Sequence, residues 1–547
     1  MDTTEISNRT IRLIDDLKAV CHQFGMGNDG NEYKVITQVF LYKFVNDKFG
    51  YELLHSEAKE AKNIKGAEKW EIAYKLLGEA ERKAILRRMS ANVPVLRPEH
   101  LVANLWNQQK LGNFDDIFDS TMVDIADLNI DIFSTQTTTN EKLPIFERLT
   151  RYVEDPSSRP NFARALVDKL VNFSFMEVFE LRYDFFSRIF EYLIKDYNTS
   201  SGDTYAEYYT PHAMATIMAR ILVGDNADLH NIECDDPSAG TGTLLMALAH
   251  QVGEDRCTIF SQDISQKSNK LLKLNLLLNG LVSSLPNAIQ GDTLVAPYHM
   301  SDDRKRLRKF DFVVSNPPFK LDFSDTREKI AAQVARFWAG VPKVPANNKK
   351  GMAIYLCFIQ HVLNSMKDKT GKAAIVVPTG FLSAQGKIEQ AILKRIVDEH
   401  ILMGAISMPS NVFANTGTNV SILFFDNSRK SEKAILIDAS KMGEEYKEGK
   451  NQKKRLRDFE IEKIIKTFRA GKSVDDFAAA VSYEDIAARG YGISAGLYFD
   501  VKIEHVDITP KEFCRRVSEI STNLDTIDAE YNKIFKDVKK GLKGLGL

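Results

Sequence analysis

The sequence is poor in the features that mark secreted, metal-stapled or membrane proteins. Its five cysteines (Cys21, Cys234, Cys257, Cys357 and Cys514) are odd in number and scattered, with no CxxC pair. That argues against a disulfide framework and against a zinc site. No apolar run reaches the ~18 residues of a membrane span. Residues Met1–Glu5 lack the basic and apolar regions of a signal peptide. The expectation is a reduced, cytoplasmic protein without membrane contact. There is also no basic excess: the net charge is −1. Free-standing DNA binders usually carry one, so any nucleic-acid contact must come from local patches or from a partner. No internal repeat or extended low-complexity segment is present. What the chain does have is length and core-forming material. Its 547 residues, 44% hydrophobic and 27% charged, predict a globular protein of two to four domains.

Residues 1–170 read as a helical domain. Helical spacing of apolar residues appears in Ile11-Ile14-Leu17-Val20 and in Ile36-Val39-Phe40-Lys43-Phe44, and Trp70 and Trp106 lie in amphipathic surroundings. Polar stretches at Ser134–Asn140 and Pro156–Pro160 read as loops. From about 171 to 475 the texture becomes alternating helices and short apolar strands, the pattern of an α/β sheet. Strands are expected at Ile232–Asp235, Thr258–Ser261, Phe312–Ser315, Ala373–Val377, Gly404–Met408 and Val420–Phe425. The last two are joined by too short a loop for a helical crossover, so they should pair antiparallel at the sheet's edge. Residues 476–547 return to helix and loop.

The first strand runs into Asp236-Pro237-Ser238-Ala239-Gly240-Thr241-Gly242-Thr243 and then a helical apolar run. Strand, glycine turn and helix form the first unit of a Rossmann-like fold, where a ligand approaches backbone at a helix N-terminus. The dinucleotide fingerprint fails, because its third glycine position is Leu245. Asp263 closes the second strand about twenty residues after Gly242, the spacing of an acid that grips ribose hydroxyls. Asp292, in Gly291-Asp292-Thr293-Leu294, ends a third strand and is placed to accept from an adenine amino group. Each element alone has a plainer reading as a turn or a helix cap; their order is what is distinctive.

The fourth strand ends in Ser315-Asn316-Pro317-Pro318-Phe319. Two prolines delete two N–H donors, and Asn before Pro is held extended. The result is a rigid turn offering the Asn316 side-chain oxygen and the Pro317 carbonyl as acceptors beside an aromatic face. Such a pocket suits a planar group carrying an NH2. The plainer alternative is a proline-stiffened strand end.

In this order the motifs resemble those of the amino-methyltransferases that use S-adenosylmethionine. More closely, the chain resembles the modification subunits of type I restriction-modification systems, which are N6-adenine DNA methyltransferases. The resemblance extends to Val39–Val45, Val377–Leu382, Met408–Phe413 and Val481–Ile486, followed by Gly490-Tyr491 and Leu497-Tyr498. It implies an α/β Rossmann-like methyltransferase domain between a helical N-terminal domain contacting DNA or partners and a helical C-terminal tail. It implies S-adenosylmethionine held by Asp236, Ser238, Gly240, Gly242, Asp263 and Asp292, with Tyr209, Thr210 and Pro211 closing the site. Asn316, Pro317, Pro318 and Phe319 would hold a flipped adenine of double-stranded DNA. The implied partners are a DNA specificity subunit, a second copy of this chain in a 2:1 complex and a restriction subunit. One departure is Ser238-Ala239, where relatives often carry Ala-Cys. A protein or RNA methyltransferase is the first alternative, although glutamine methyltransferases typically carry Tyr where Phe319 stands. A catalytically idle scaffold is the second.

Three further stretches stand out. Lys320–Gly351 is long and irregular, and reads either as a loop closing over DNA or as a solvated connection. Arg304–Lys309 and Lys447–Arg457 are basic runs with phosphate contact or a solvated face as alternatives. Finally Thr509-Pro510-Lys511-Glu512 has the form of a capping box. After it, Phe513, Val517, Ile520, Leu524, Ile527, Tyr531, Ile534 and Val538 form a heptad seam. That seam predicts either packing on the chain's own core or a coiled-coil contact with a partner.

Overall fold

The computed structural model describes residues 3–27, 30–89, 93–130, 134–137, 142–144, 146–179, 189, 192, 210–225, 228–411, 419–428, 432–448, 451–499 and 509–544. The strands are β1 (Ser134–Thr137), β2 (Lys142–Pro144), β3 (Ile232–Asp236), β4 (Cys257–Asp263), β5 (Ala288–Gln290), β6 (Phe312–Ser315) and β7 (Lys372–Pro378). They continue with β8 (Leu402–Ser407), β9 (Val420–Asp426), β10 (Lys433–Asp438), β11 (Glu444–Glu448), β12 (Asn451–Arg455) and β13 (Ala478–Ser482). Eleven of them form one sheet in the order β13-β10-β8-β9-β7-β6-β3-β4-β5-β1-β2, and β11 and β12 form a separate hairpin.

From β3 the chain runs outward one way through parallel β4 and β5, then returns to lay β6 and β7 parallel on the other side of β3. The helices Thr243–Val252, Gln266–Leu278 and Tyr355–Ser365 make the crossovers. The reversal between β3 and β6 is a topological switch point, and ligands of open α/β sheets bind at the carboxyl ends of strands there. All six strands expected from sequence are present, and β8 and β9 pair antiparallel. They are not the edge: β10 pairs parallel to β8, and β13 closes that side.

Other expectations change. Part of the polar stretch read as a loop forms β1, parallel to β5, with β2 beside it; backbone pairing at an edge needs no apolar face, and threonine suits it. The C-terminal region does not return to helix and loop at 476, because β13 belongs to the main sheet. Tyr483 follows it, donating its hydroxyl to Leu402 O (2.8 Å) and stacking on His400. The chain divides into two compact units at Phe499, Met1–Phe499 and Asp500–Leu547. Met1–Phe499 holds the N-terminal helices and the sheet in one compact unit. One hydrophobic cluster runs from Leu17, Phe40 and Leu166 of the N-terminal helices to Leu248, Val314 and Ile422 of the sheet layer. A second cluster, including Phe310, Ile359, Ile375 and Leu423, covers the other face. Among the described residues no helix is long and apolar enough to cross a membrane.

The second unit is described by a single 35-residue helix, Pro510–Gly544. Thr509 Oγ1 accepts from Glu512 N at 3.3 Å, as a capping residue does. The heptad positions are exposed, from 49% at Val517 to 62% at Tyr531 and Ile534.

Candidate active site

The site is built at the carboxyl ends of β3, β4, β5 and β6. After β3 the chain must turn sharply into the helix Thr243–Val252. Gly240 and Gly242 take positive φ (52° and 84°) to make the turn, and Gly242 N donates to Ala239 O at 2.8 Å. A Cβ on Gly242 would lie 2.2 Å from Leu272 Cδ1. Glycine is therefore favoured there by conformation, and any side chain would also have to displace the tip of Leu272 on the next helix. Asn275 of that helix donates Nδ2 to Thr241 O at 3.2 Å.

The three carboxylates meet backbone at this edge. Asp236 is fully buried and accepts from Ser238 N at 2.9 Å. Burial raises its pKa to about 8, opposed by that hydrogen bond. Asp263 accepts from Gly240 N through Oδ2 (2.8 Å) and from Ser265 N through Oδ1 (2.8 Å). It thus closes the glycine loop onto the end of β4, and burial raises its pKa. Asp292 Oδ1 accepts from Leu294 N (2.9 Å) and Val295 N (3.1 Å), and Thr293 Oγ1 donates to Pro237 O at 2.7 Å. The cap-like bonds weighed as the plainer alternative are real. They leave each carboxylate oriented, with further lone pairs on its oxygens.

At the end of β6, Asn316 Nδ2 donates to Thr210 Oγ1 at 3.0 Å. The two ends of an amide diverge, so fixing the nitrogen also fixes the direction of Oδ1. Thr210, expected to help close the cofactor site, also touches the acceptor amide. Pro211 is the N-cap residue of the helix His212–Val223, and Met214 N donates to its carbonyl. Tyr209 lies outside the described residues. Pro317 is buried, whereas Asn316, Pro318 and Phe319 are half-buried.

The structure adds two features that sequence reasoning did not single out. Ser315 Oγ and Ser238 Oγ lie 2.7 Å apart, joining the glycine loop to the acceptor strand through hydroxyls. Ser238 was expected only as a cofactor residue, and nothing in the spacing pairs it with a serine so far along the chain. Tyr355 meets Phe319 edge-on at 6.5 Å and Phe381 edge-on at 6.0 Å. The Asn-Pro-Pro-Phe aromatic is therefore braced by a residue from the helix Tyr355–Ser365.

The segment after Phe319 is packed into the fold in part, while residues 346–350 are exposed. Phe323, Ile330, Phe337 and Val341 are buried in the second core, and a short helix spans Arg327–Ala331. Trp338 lies under the Arg395 guanidinium at 4.4 Å. Of the basic runs, Arg308 pairs with Glu233 and Lys309 with Asp368. The second run contributes β12, which pairs antiparallel with β11.

Residues 181–507 match the family model for N-6 DNA Methylase. The chain is 28% identical over 364 residues to the type I restriction enzyme MpnII methylase subunit of Mycoplasma pneumoniae. That match spans 65% of this chain and 64% of the relative, just under two thirds of its length. The MjaIX methylase subunit of Methanocaldococcus jannaschii is 27% identical over 412 residues, or 72% of this chain and 69% of the relative. Among solved structures, the type I restriction-modification methyltransferase subunit from Streptococcus thermophilus superposes with a TM-score of 0.71. It is 21% identical, with 91% of this chain and all of that chain covered. A modification subunit of a putative type I restriction enzyme from Vibrio vulnificus gives 0.55 at 17% identity, over 89% and 96%. Both likenesses concern the fold.

Proposed function

The chain belongs to the N-6 DNA methylase family, and on that premise we propose that it is an adenine-specific DNA methyltransferase using S-adenosylmethionine. The observation that carries the proposal is the orientation of Asn316 by Thr210 at the end of the strand next to β3, beside the glycine loop. When bound, S-adenosylmethionine supplies an electrophilic sulfonium methyl. The donor set fits that group. Asp236 is a buried carboxyl with its pKa raised to about 8, a site that a ligand ammonium would return to the ionised form. Asp263, braced by Gly240 and Ser265, offers acceptors to ribose hydroxyls. Asp292 would accept from an adenine amino group.

On the acceptor side, an exocyclic aromatic amine is a weak nucleophile because its lone pair is spread into the ring. Asn316 Oδ1 and Pro317 O accept its two N–H groups, favour a pyramidal nitrogen and stabilise positive charge developing on it. This is electrostatic preorganisation for the transition state, with no strong base needed before attack. Phe319, braced by Tyr355, stacks on the base. A duplex adenine must be flipped out to reach these groups, at a few kcal/mol of unstacking.

Partners follow the same reading. The exposed seam of the helix Pro510–Gly544 has the heptad pattern of a coiled-coil strand. A helical DNA specificity subunit of a type I restriction-modification complex would cover it. Such an arrangement would gather two copies of this chain on one site, with a restriction subunit joining them. The activity is tested with Asn316→Ala, co-expressed with the specificity subunit and assayed by labelled methyl transfer to duplex DNA. The expected loss is ~100- to 1,000-fold in rate, with S-adenosylmethionine affinity unchanged by calorimetry. Wild-type turnover in the variant would refute the mechanism.

A further inference from the structure

We propose that Arg336 is a positioning residue of the cofactor site, holding the loop that carries Asp292 from the segment that follows the acceptor motif. This rests on the reading of Asp292 as a cofactor acceptor. Arg336 is only 7% exposed. Its Nη1 donates to Thr293 O at 3.0 Å and its Nη2 donates to Leu294 O. Nη1 also lies 3.2 Å from His361 Nδ1. A guanidinium has donors only, so His361 must accept there with a neutral ring. Burial and the Arg336 charge both push its pKa down, in agreement.

The clamp is broader than one side chain. Gln333, one turn earlier, donates Nε2 to the same Leu294 O at 3.0 Å. Asn364 Nδ2 donates to Arg336 O at 2.9 Å, fixing the backbone from which the guanidinium reaches. From the sheet side, Gln262 Nε2 donates to Ala296 O and Tyr298 N donates to Gln262 Oε1, both at 2.9 Å. Thr293 reaches across to Pro237 O in the glycine loop. The loop from Asp292 to Tyr298 is therefore gripped from both sides. The peptide units that Arg336 holds are those whose N–H groups, at Leu294 and Val295, orient the Asp292 carboxylate.

Stability alone does not account for a charge at this position. Among the described residues Arg336 has no bonded carboxylate, and its Nε is buried without a partner. Burying a cation in that state is costly, and an apolar residue of similar volume is often as stable or more so. Burial lowers the Arg336 pKa to about 10, a shift only partly offset by the fields of Cys357 and, after it, Asp292.

The test measures S-adenosylmethionine Kd by calorimetry, and kcat and KM by methyl transfer with the specificity subunit present. Variants are Arg336→Met, Arg336→Lys, Asp292→Asn and, as a control, Arg395→Met. The control removes the cation over Trp338 in the same segment without touching the loop. Arg336→Met is expected to raise Kd and KM for the cofactor roughly tenfold, with kcat at saturating cofactor close to wild type. Arg336→Lys should recover part of the loss, and Arg395→Met should bind like wild type. Wild-type affinity in Arg336→Met, alongside weakened binding in Asp292→Asn, would overturn the inference while sparing the cofactor site. Unchanged binding in Asp292→Asn would overturn both. A fall in kcat without a change in Kd would also refute it. Should Arg336→Met melt at the assay temperature, Gln333→Ala must show the same rise in Kd, and an unchanged value there refutes the clamp.

Discussion

Two long helices carry repeated apolar residues and meet opposite fates. In Gly30–His55, the side chains of Val35, Ile36, Val39, Phe40, Tyr42, Phe49 and Leu53 are almost wholly withdrawn from solvent. Phe40 packs edge-on against Phe175 at 5.1 Å, and even the charged pair Lys43–Asp47 is buried at 2.8 Å. In Pro510–Gly544 every heptad position is roughly half exposed or more. Apolar periodicity identifies a face that wants cover. It does not say whether this chain or another supplies the cover. The first helix has its neighbours in sequence, within a core continuous with the sheet. The second keeps its apolar seam exposed.

Three substitutions sharpen this contrast, in falling order of effect on stability. Phe40→Ala should destabilise the chain by about 3–5 kcal/mol, read as a lowered denaturation midpoint. A change below 1 kcal/mol would mean the N-terminal helices are not integral to the core. Tyr42→Phe keeps the ring but loses the hydroxyl donated to His100 O at 2.6 Å. About 0.5–1.5 kcal/mol should follow, less than for Phe40 because no cavity forms. Ile527→Asp in the terminal helix should shift the melting of the sheet-bearing unit by no more than about 0.5 kcal/mol. It should nevertheless abolish co-purification with the specificity subunit on size exclusion. Deleting residues from Lys511 onward should do the same, leaving a folded chain that binds S-adenosylmethionine. If the deleted chain aggregates, the seam serves its own core and the contrast between the helices collapses.

The active-site edge divides in a similar way. The glycine turn, the strand-end acids Asp263 and Asp292 and the Asn-Pro-Pro-Phe turn were legible because each is a short-range device. A tight turn needs Gly240 and Gly242, and a rigid acceptor needs Pro317 and Pro318, wherever the rest of the chain lies. The partners of those groups were not legible. Thr210 on Asn316, Ser238 on Ser315 and Arg336 on the Thr293–Leu294 carbonyls join residues distant in sequence, with no periodic signal to announce them. The packing of part of Lys320–Gly351 was not legible for the same reason. Irregular backbone looks solvated in sequence, yet Phe323, Ile330 and Phe337 bury it.

The sequence by itself determined the strand-turn-helix unit around Gly240 and Gly242, the acceptor turn at Asn316 and the capped, seamed terminal helix. Each is decided by φ preference, lost N–H donors or apolar spacing within a few residues. Only the tertiary structure decided that the sheet runs on through β10 and β13 on one side and β1 and β2 on the other. It alone merged the N-terminal helices into the sheet's core and directed Asn316 through a hydroxyl from another element. Those outcomes depend on which surfaces and backbone edges meet in space, and a linear pattern carries no record of that meeting.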